Sequence, residues 1–513
     1  MTLLAALVDT SQRVSATASR STKIRELAAF LSQLSEAEIE LGVLFLSGET
    51  RQGRFGLGAA RLSAASATAA CAAATLELVE VDRELDEIAR LRGAGSTAQR
   101  TNALSHLFGR ASAAERHFLI RLLLGELRQG ALAGVMVDAL AVATALPLSD
   151  VRRAAMYEKN LGVLARVAFT AGAAGLQRFQ LQLLSPVAPM LAQTSGDVEE
   201  ALTALGGEAA FEWKMDGARI QVHKQADIVR IYTRSSNEVT AALPEIVAAA
   251  RALPVRNVVL DGEAIAFAAS GRPHPFQTTM RRFGRKLDVE ALRQELPMQA
   301  FYFDCLRTDD RSLAERPTRE RFAALTSVVP AEQLIPRLVT RSVEAARSFY
   351  DAALAAGHEG VMAKALDATY EAGNRGSSWL KIKRAHTLDL IVLAAEWGHG
   401  RRTGKLSNLH LGALDPATGQ YVMLGKTFKG LTDEMLAWQT REFLARATHR
   451  DAYTVQVRPE IVVEVAFSDL QASPRYPGGL ALRLARVKRY RDDKSADDAD
   501  TMETVRRIAA AQG

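Results

Sequence analysis

Between residues 209 and 383, charged side chains recur inside segments that otherwise read as buried β-strands. "AFEWKMDGARIQVHK" carries Glu212, Lys214, Asp216 and Arg219, and "VVLDGEAIAF" carries Asp261 and Glu263. "MQAFYFDCL" holds Phe303 and Asp304, "EGVMAK" holds Glu359 and Lys364, and "SSWLKIKR" holds Lys381 and Lys383. One such strand reads equally well as a surface hairpin with an Asp-Gly turn and ordinary charge pairing. A whole series does not, because an unpaired charge within an apolar strand is costly. The repetition implies that these strands line one shared polar ligand site.

The residue types suggest the ligand. Converging lysines and arginines suit a polyphosphate, and Glu263 with Glu359 suit a divalent cation through hard oxygen donors. Phe303 can stack on a base, and Glu212 can accept from an exocyclic amine. No Gly-rich phosphate loop competes. "GHGRRTGKL" (398–406) has the wrong spacing and no Ser or Thr after Lys405, so it reads as a basic loop. The nine histidines show no metal-ligand spacing and receive no role. Asp216 and Asp304 stay open between the site and turn-capping carboxylates. Trp379 reads as core.

At 513 residues the chain exceeds one core and suggests about three domains. Its 48% hydrophobic and 24% charged content is that of a globular protein, and its net charge of +6 mildly favours a polyanionic partner. Cys71 and Cys305 are too few for a four-cysteine zinc site and read as small buried apolar residues. The start, "MTLLAALVDTSQR", lacks a basic n-region, and "GALAGVMVDALAVATALPL" contains Asp138 and Pro147, so a buried helix fits better than a membrane span. A cytoplasmic protein without membrane contact is expected.

Residues 1–180 carry helical periodicity in "TKIRELAAFLSQLS" and "AERHFLIRLLLGELRQG", with Arg51, Arg54, Arg61, Arg110, Arg121 and Arg128 on polar sides. "LLSPVAPMLAQTSGD" reads as a linker. Residues 181–385 then read as an α+β domain with antiparallel sheets. Residues 386–513 read as a barrel of about five short strands interrupted by the helix "DEMLAWQTREFLARA", with the OB-fold leading.

The ordered set Lys214-Met-Asp-Gly-Ala-Arg219, Asp261-Gly-Glu263, Glu359-Gly-Val-Met-Ala-Lys364 and Lys381-Ile-Lys383 resembles the motifs of covalent nucleotidyltransferases. Within that superfamily it resembles the ATP-dependent DNA ligases. "LALRLARVKRYRDDK" is similar to the family's last motif and supplies Arg483, Arg486, Arg489, Asp493 and Lys494. "FLIRLLLGELRQGALAGVMVDAL" resembles the helical DNA-binding domain of the larger ligases, and "SPVAPMLAQ" the segment leading into their catalytic core.

The resemblance implies a multidomain protein: an all-α DNA-binding domain, an α+β adenylation domain and a C-terminal OB-fold β-barrel. Lys214 would attack ATP, form a lysyl-AMP and expel pyrophosphate. A free lysine, with pKa about 10.4, must lose its proton first. Desolvation and the cations Lys381, Lys383 and Mg²⁺ (Mn²⁺ as an alternative) are expected to favour the neutral amine. Glu212 would read the adenine amine, Phe303 would stack on the ring, and Glu263 would hold the ribose or a metal. Arg219, Arg234, Arg375 and Lys381 would contact the nucleotide or the 5′-phosphate of a nick, with Lys383 beside them. Glu263 and Glu359 would bind Mg²⁺. The last-motif arginines would orient the leaving pyrophosphate as the barrel closes about a hinge at 384–389.

The implied partner is nicked duplex DNA, gripped partly by the N-terminal arginines, and the implied state is a monomer. An mRNA guanylyltransferase or RNA ligase would share Lys-x-Asp-Gly but leave the helical region unexplained. An NAD-dependent ligase is disfavoured by the cysteine count. A non-catalytic nucleic-acid scaffold predicts loss of the lysine or the carboxylates, and all are present.

Overall fold

The computed structural model describes residues 1–512 except 54, 57, 68, 94, 128, 130–132, 285–288, 373–375, 385, 400 and 401. Arg54, Arg128 and Arg375 therefore lie outside the described residues, as do parts of the 398–406 loop and the 384–389 segment.

The first third is helical, from Leu4–Ala16 to Leu161–Leu176. Ser35 and Ser112 open the helices Glu36–Ser47 and Ala113–Leu124 through capping boxes with Glu38 and Glu115, a signal readable in the sequence. The apolar stretch containing Asp138 is the buried helix Ala133–Thr144, and Asp138 takes Arg20 at 2.7 Å and Arg152 at 2.9 Å. Among the described residues no helix is long and apolar enough to cross a membrane.

Several polar-face arginines are already committed within this region. Arg51 pairs with Asp82, Arg110 with Glu80 and Glu84, and Arg121 donates to the carbonyls of Glu126 and Leu127. Their donors tie helices and a helix end together. Arg61 is exposed and makes no ion pair among the described residues.

The segment expected to be a linker is bound along its length. Leu184 N donates to His223 Nδ1 at 3.2 Å, Val187 N to Gln221 Oε1 at 2.7 Å and Met190 N to the Tyr370 hydroxyl at 3.1 Å. Prolines deprive it of donors, and side chains from the next domain satisfy those that remain.

Two five-stranded sheets follow. One runs β1 (Gln193–Thr194), β10 (Trp379–Lys383), β9 (Gly360–Lys364), β2 (Ala209–Trp213), β8 (Arg337–Thr340). The other runs β4 (Ile228–Thr233), β3 (Ala218–Gln225), β5 (Asn257–Ala266), β6 (Met298–Thr308), β7 (Arg311–Ser312). Every pairing is antiparallel except β1 with β10.

The C-terminal region departs from the expected five or so strands. Its strands are β11 (His386–Trp397), β12 (Leu406–Asp415), β13 (Gln420–Thr427), β14 (Ala447–Arg450), β15 (Thr454–Val457), β16 (Val462–Phe467), β17 (Asp469–Ala472), β18 (Leu480–Arg483) and β19 (Arg486–Tyr490). β11 is long and irregular in register, and it pairs with β12, β15 and β16, so one strand serves several neighbours. β14, β17 and β18 are four residues each, too short for alternation to mark them. The helix Asp433–Ala445 stands where the sequence placed it. A last helix, Met502–Gln512, seals the barrel core with Met502 and Val505.

Candidate active site

The site lies where the two sheets meet. β2 ends at Trp213, and Lys214 continues its pairing: Lys214 N donates to Gly360 O at 2.8 Å, and Glu359 N donates to Lys214 O at 3.0 Å. Lysine and glutamate are thus fixed opposite each other by backbone. The Asp-Gly that follows marks a close approach of neighbouring strands at the entry to β3. A Cβ on Gly217 would sit 2.4 Å from Ala264 O on β5. Gly360 is held as firmly, with φ +137° and a Cβ position 2.2 Å from Ile382 O on β10.

Glu359 is shared between two lysines: one oxygen abuts Lys214 Nζ, and the other accepts from Lys383 Nζ at 2.6 Å. Burial pushes the Lys214 ammonium down, but the carboxylates of Glu359, Glu263 and Asp216 outweigh it, and the net shift is upward. The expected desolvation of this lysine is present, but among the protein groups around it carboxylates rather than cations dominate. Lys383 bears the depression instead, through burial and then the Lys214 charge. Burial raises the Glu263 carboxyl to about 7 despite Lys214 and Arg219. Glu263 makes no ion pair or hydrogen bond among the described residues.

Among the described residues no cluster of three or more His, Cys, Asp or Glu stands ready to hold a metal. Two carboxylates flanking Lys214, one without a partner, still fit a hard cation whose remaining ligands are water and phosphate.

At the far end of the site, Glu212 is 1% exposed and its oxygens meet Arg337 Nε at 2.8 Å and Lys364 Nζ at 2.5 Å. Phe303 on β6 packs edge-on against Trp379, with ring centroids 6.0 Å apart. Lys364 Nζ lies 4.6 Å from the Phe303 ring centroid and 4.2 Å from that of Trp379. Burial depresses the Lys364 ammonium, only partly offset by Glu212. Trp379 is thus core, as its sequence context suggests, but core against the pocket wall.

Arg219 is held by Met190 O at 2.6 Å, by Asp261 at 2.9 Å and by the Tyr370 hydroxyl at 3.2 Å. Asp261 also accepts from Gln221 Nε2 and Tyr370. The open assignment of Asp304 resolves to structure. It is fully buried and takes a bidentate Arg321, at 2.8 and 3.1 Å. It caps no turn.

Asp216 finds its partner across the chain in Arg483, at the end of β18, whose Nη1 donates to Oδ2 at 2.8 Å. Of the last motif's basic residues, Arg483 is the one brought to this site. Arg489 pairs with Glu464, and Lys494 with Asp389, within the C-terminal region. Lys381 occupies β10 opposite Met362, half-buried. Arg234 lies exposed in the turn after β4, without a hydrogen bond or ion pair among the described residues. Sequence reasoning missed Arg337, Tyr370 and Arg321. The charge of Arg337 inside "LIPRLV" was the one local signal for it.

Three family models match the chain: DNA ligase N terminus over residues 50–141, ATP dependent DNA ligase domain over 189–383, and ATP dependent DNA ligase C terminal region over 402–494. A "Probable DNA ligase" of Anaeromyxobacter dehalogenans (strain 2CP-C) is 59% identical over 507 residues, covering 98% of this chain and 99% of the relative. One of Mycolicibacterium gilvum (strain PYR-GCK) is 54% identical over 508 residues, covering 99% of each. The solved structure "Pmar-Lig_PreS3" shares the fold, with a TM-score of 0.59 at 17% identity, covering 94% of this chain and 99% of that one. With motifs, fold and full-length relatives in agreement, the chain belongs to the ATP-dependent DNA ligase family.

Proposed function

We propose that this chain seals 5′-phosphate/3′-hydroxyl nicks in duplex DNA through a lysyl-AMP and an adenylated DNA. The observation that carries the reading is Lys214, pinned by backbone to Glu359 and facing Glu263 at the junction of the two sheets. The Lys214 amine, once it yields its proton, attacks the α-phosphorus of ATP, and the bond to pyrophosphate breaks. An oxygen of the DNA 5′-phosphate then attacks the same phosphorus, the P–N bond breaks and the lysine is restored. The 3′-hydroxyl attacks the 5′-phosphate, AMP departs and the proton goes to solvent.

In this reading Glu212 accepts from the adenine amine, and Phe303 stacks on the ring. Arg219, Arg234, Arg375, Lys381 and Lys383 contact the nucleotide or the nick phosphate. Glu263 and Glu359 would hold Mg²⁺ (or Mn²⁺), which supplies charge neutralisation at the phosphates and lowers the proton affinity of Lys214. Lys383 keeps Glu359 aimed at the lysine. Arg483 brings a guanidinium from the barrel to the side where pyrophosphate leaves. Residues 1–180 form a DNA-binding domain, 181–385 the adenylation domain and 386–513 the OB-fold. The protein works as a cytoplasmic monomer on nucleoid DNA.

The test is incubation with ATP labelled at the α-phosphate, and separately with GTP, in the presence of Mg²⁺. Label should survive denaturation with ATP and disappear in Lys214→Ala, and unlabelled ATP should then support sealing of a nicked duplex. Label from GTP alone points to a capping enzyme, and label from neither removes the enzymatic reading.

A further inference from the structure

Glu212 and Phe303 stand on different sheets, the first on β2 and the second on β6, so no strand ladder fixes the gap between them. Two cations do. Arg337 donates through Nε to Glu212 Oε1 at 2.8 Å and through Nη2 to the Phe303 carbonyl at 3.1 Å. Lys364 reaches Glu212 Oε2 at 2.5 Å and the same carbonyl at 3.4 Å. Both cations are braced. The Arg337 guanidinium lies over Phe322, on the helix whose Arg321 grips Asp304 beside Phe303. The Lys364 ammonium lies between the Phe303 and Trp379 rings.

With both oxygens taken by cationic donors, the Glu212 carboxylate faces the base as a hydrogen-bond acceptor. It therefore suits the exocyclic amine of adenine and repels the carbonyl oxygen that guanine presents at the same ring position. We infer that Arg337, with Lys364, sets the base specificity of this site by bridging Glu212 to Phe303 and keeping Glu212 an acceptor. The inference rests on the proposed roles of Glu212 and Phe303. Arg337 is a positioning residue, acting on the base through Glu212.

The test compares formation of the lysine adduct from ATP, from GTP and from purine riboside triphosphate, which lacks the amine. Half-saturating concentration and maximal rate are measured for each nucleotide, with a thermal melt for each variant. The unaltered chain should favour ATP over the amine-less analogue by about tenfold. In Arg337→Met that preference should fall to about twofold, mainly through a higher half-saturating ATP concentration, and GTP should gain relative to ATP. Arg337→Lys keeps a cation near Glu212 and should recover part of the preference.

A folded Arg337→Met that keeps the original preference overturns the inference and leaves the proposed function intact. Equal use of ATP and the analogue by the unaltered chain removes the role of Glu212 and the inference with it. Absence of adduct from any nucleotide removes the proposed function itself. If Arg337→Met does not fold, Arg337→Lys and Lys364→Met carry the same comparison, and unchanged preference in both overturns the inference.

Discussion

Glu263 is half-buried beside Asp216 and Glu359, and its raised carboxyl has a consequence for stability against pH. A carboxyl that titrates near 7 when folded and near its ordinary value when unfolded binds its proton more tightly in the native chain. Its contribution is therefore fully present below about pH 4.5 and is lost as pH rises through about 7. Glu263→Gln removes that loss. The variant without nucleotide should gain on the order of 1 kcal/mol over the parent at pH 8 and almost nothing at pH 5, measured by denaturant titration at both values. Equal gains at the two pH values would show that the charge is not the cause. Asp304 gives a second prediction at this scale. Asp304→Ala strands the fully buried Arg321 guanidinium and should cost about 3–5 kcal/mol of unfolding free energy, while Asp304→Asn should cost less. The sequence made Lys214 and the carboxylates around it legible because each sits in a short run of unlike neighbours. It did not reveal the sign of the Lys214 shift, which depends on residues up to 145 positions away brought within contact.

Among the elements, β9 and β10 position much of the charge gathered around Lys214 and Glu212. Glu359 precedes β9, Lys364 ends it, and Lys381 and Lys383 stand on β10. The two strands meet closely at Gly360, where a methyl group would press on the Ile382 carbonyl. Gly360→Ala should therefore separate them, destabilise the chain by about 2 kcal/mol or more and slow lysine adenylylation at least tenfold. A melt and an adduct time course check both. Normal adduct formation would show that β10 tolerates the displacement. Most strands of the two central sheets were legible, because charge and apolar residues alternate there against glycine turns. β8 was harder to see. Pro336 precedes it, Val339 is exposed and its one informative residue pairs with a partner 125 positions earlier. The proline-rich stretch before β1 was misjudged as a linker for the converse reason. What holds it are side chains of β3 and the Tyr370 hydroxyl, and no local pattern announces them.

Across the whole molecule, Asp216–Arg483 joins the C-terminal barrel to the strand end that carries Lys214. Neither residue has a partner within its own domain among the ion pairs above, so the contact serves the arrangement of domains. Asp216→Ala and Arg483→Ala should each raise protease cleavage within 384–389 by about threefold, and the double variant should exceed neither. Additive increments would mean that the two residues act independently. The order of helical region, α+β core and β-rich end was legible from the change in periodicity along the chain, but which arginine of the last motif meets the site was not, since all of them share one short basic run. Between β10 and β11 only Arg384 and residue 385 intervene, and Arg384 N donates to the Glu359 carbonyl at 3.3 Å. A rotation of the barrel about this joint would reach Lys383 first along the chain, and the Lys383 ammonium donates to the Glu359 carboxylate that abuts Lys214.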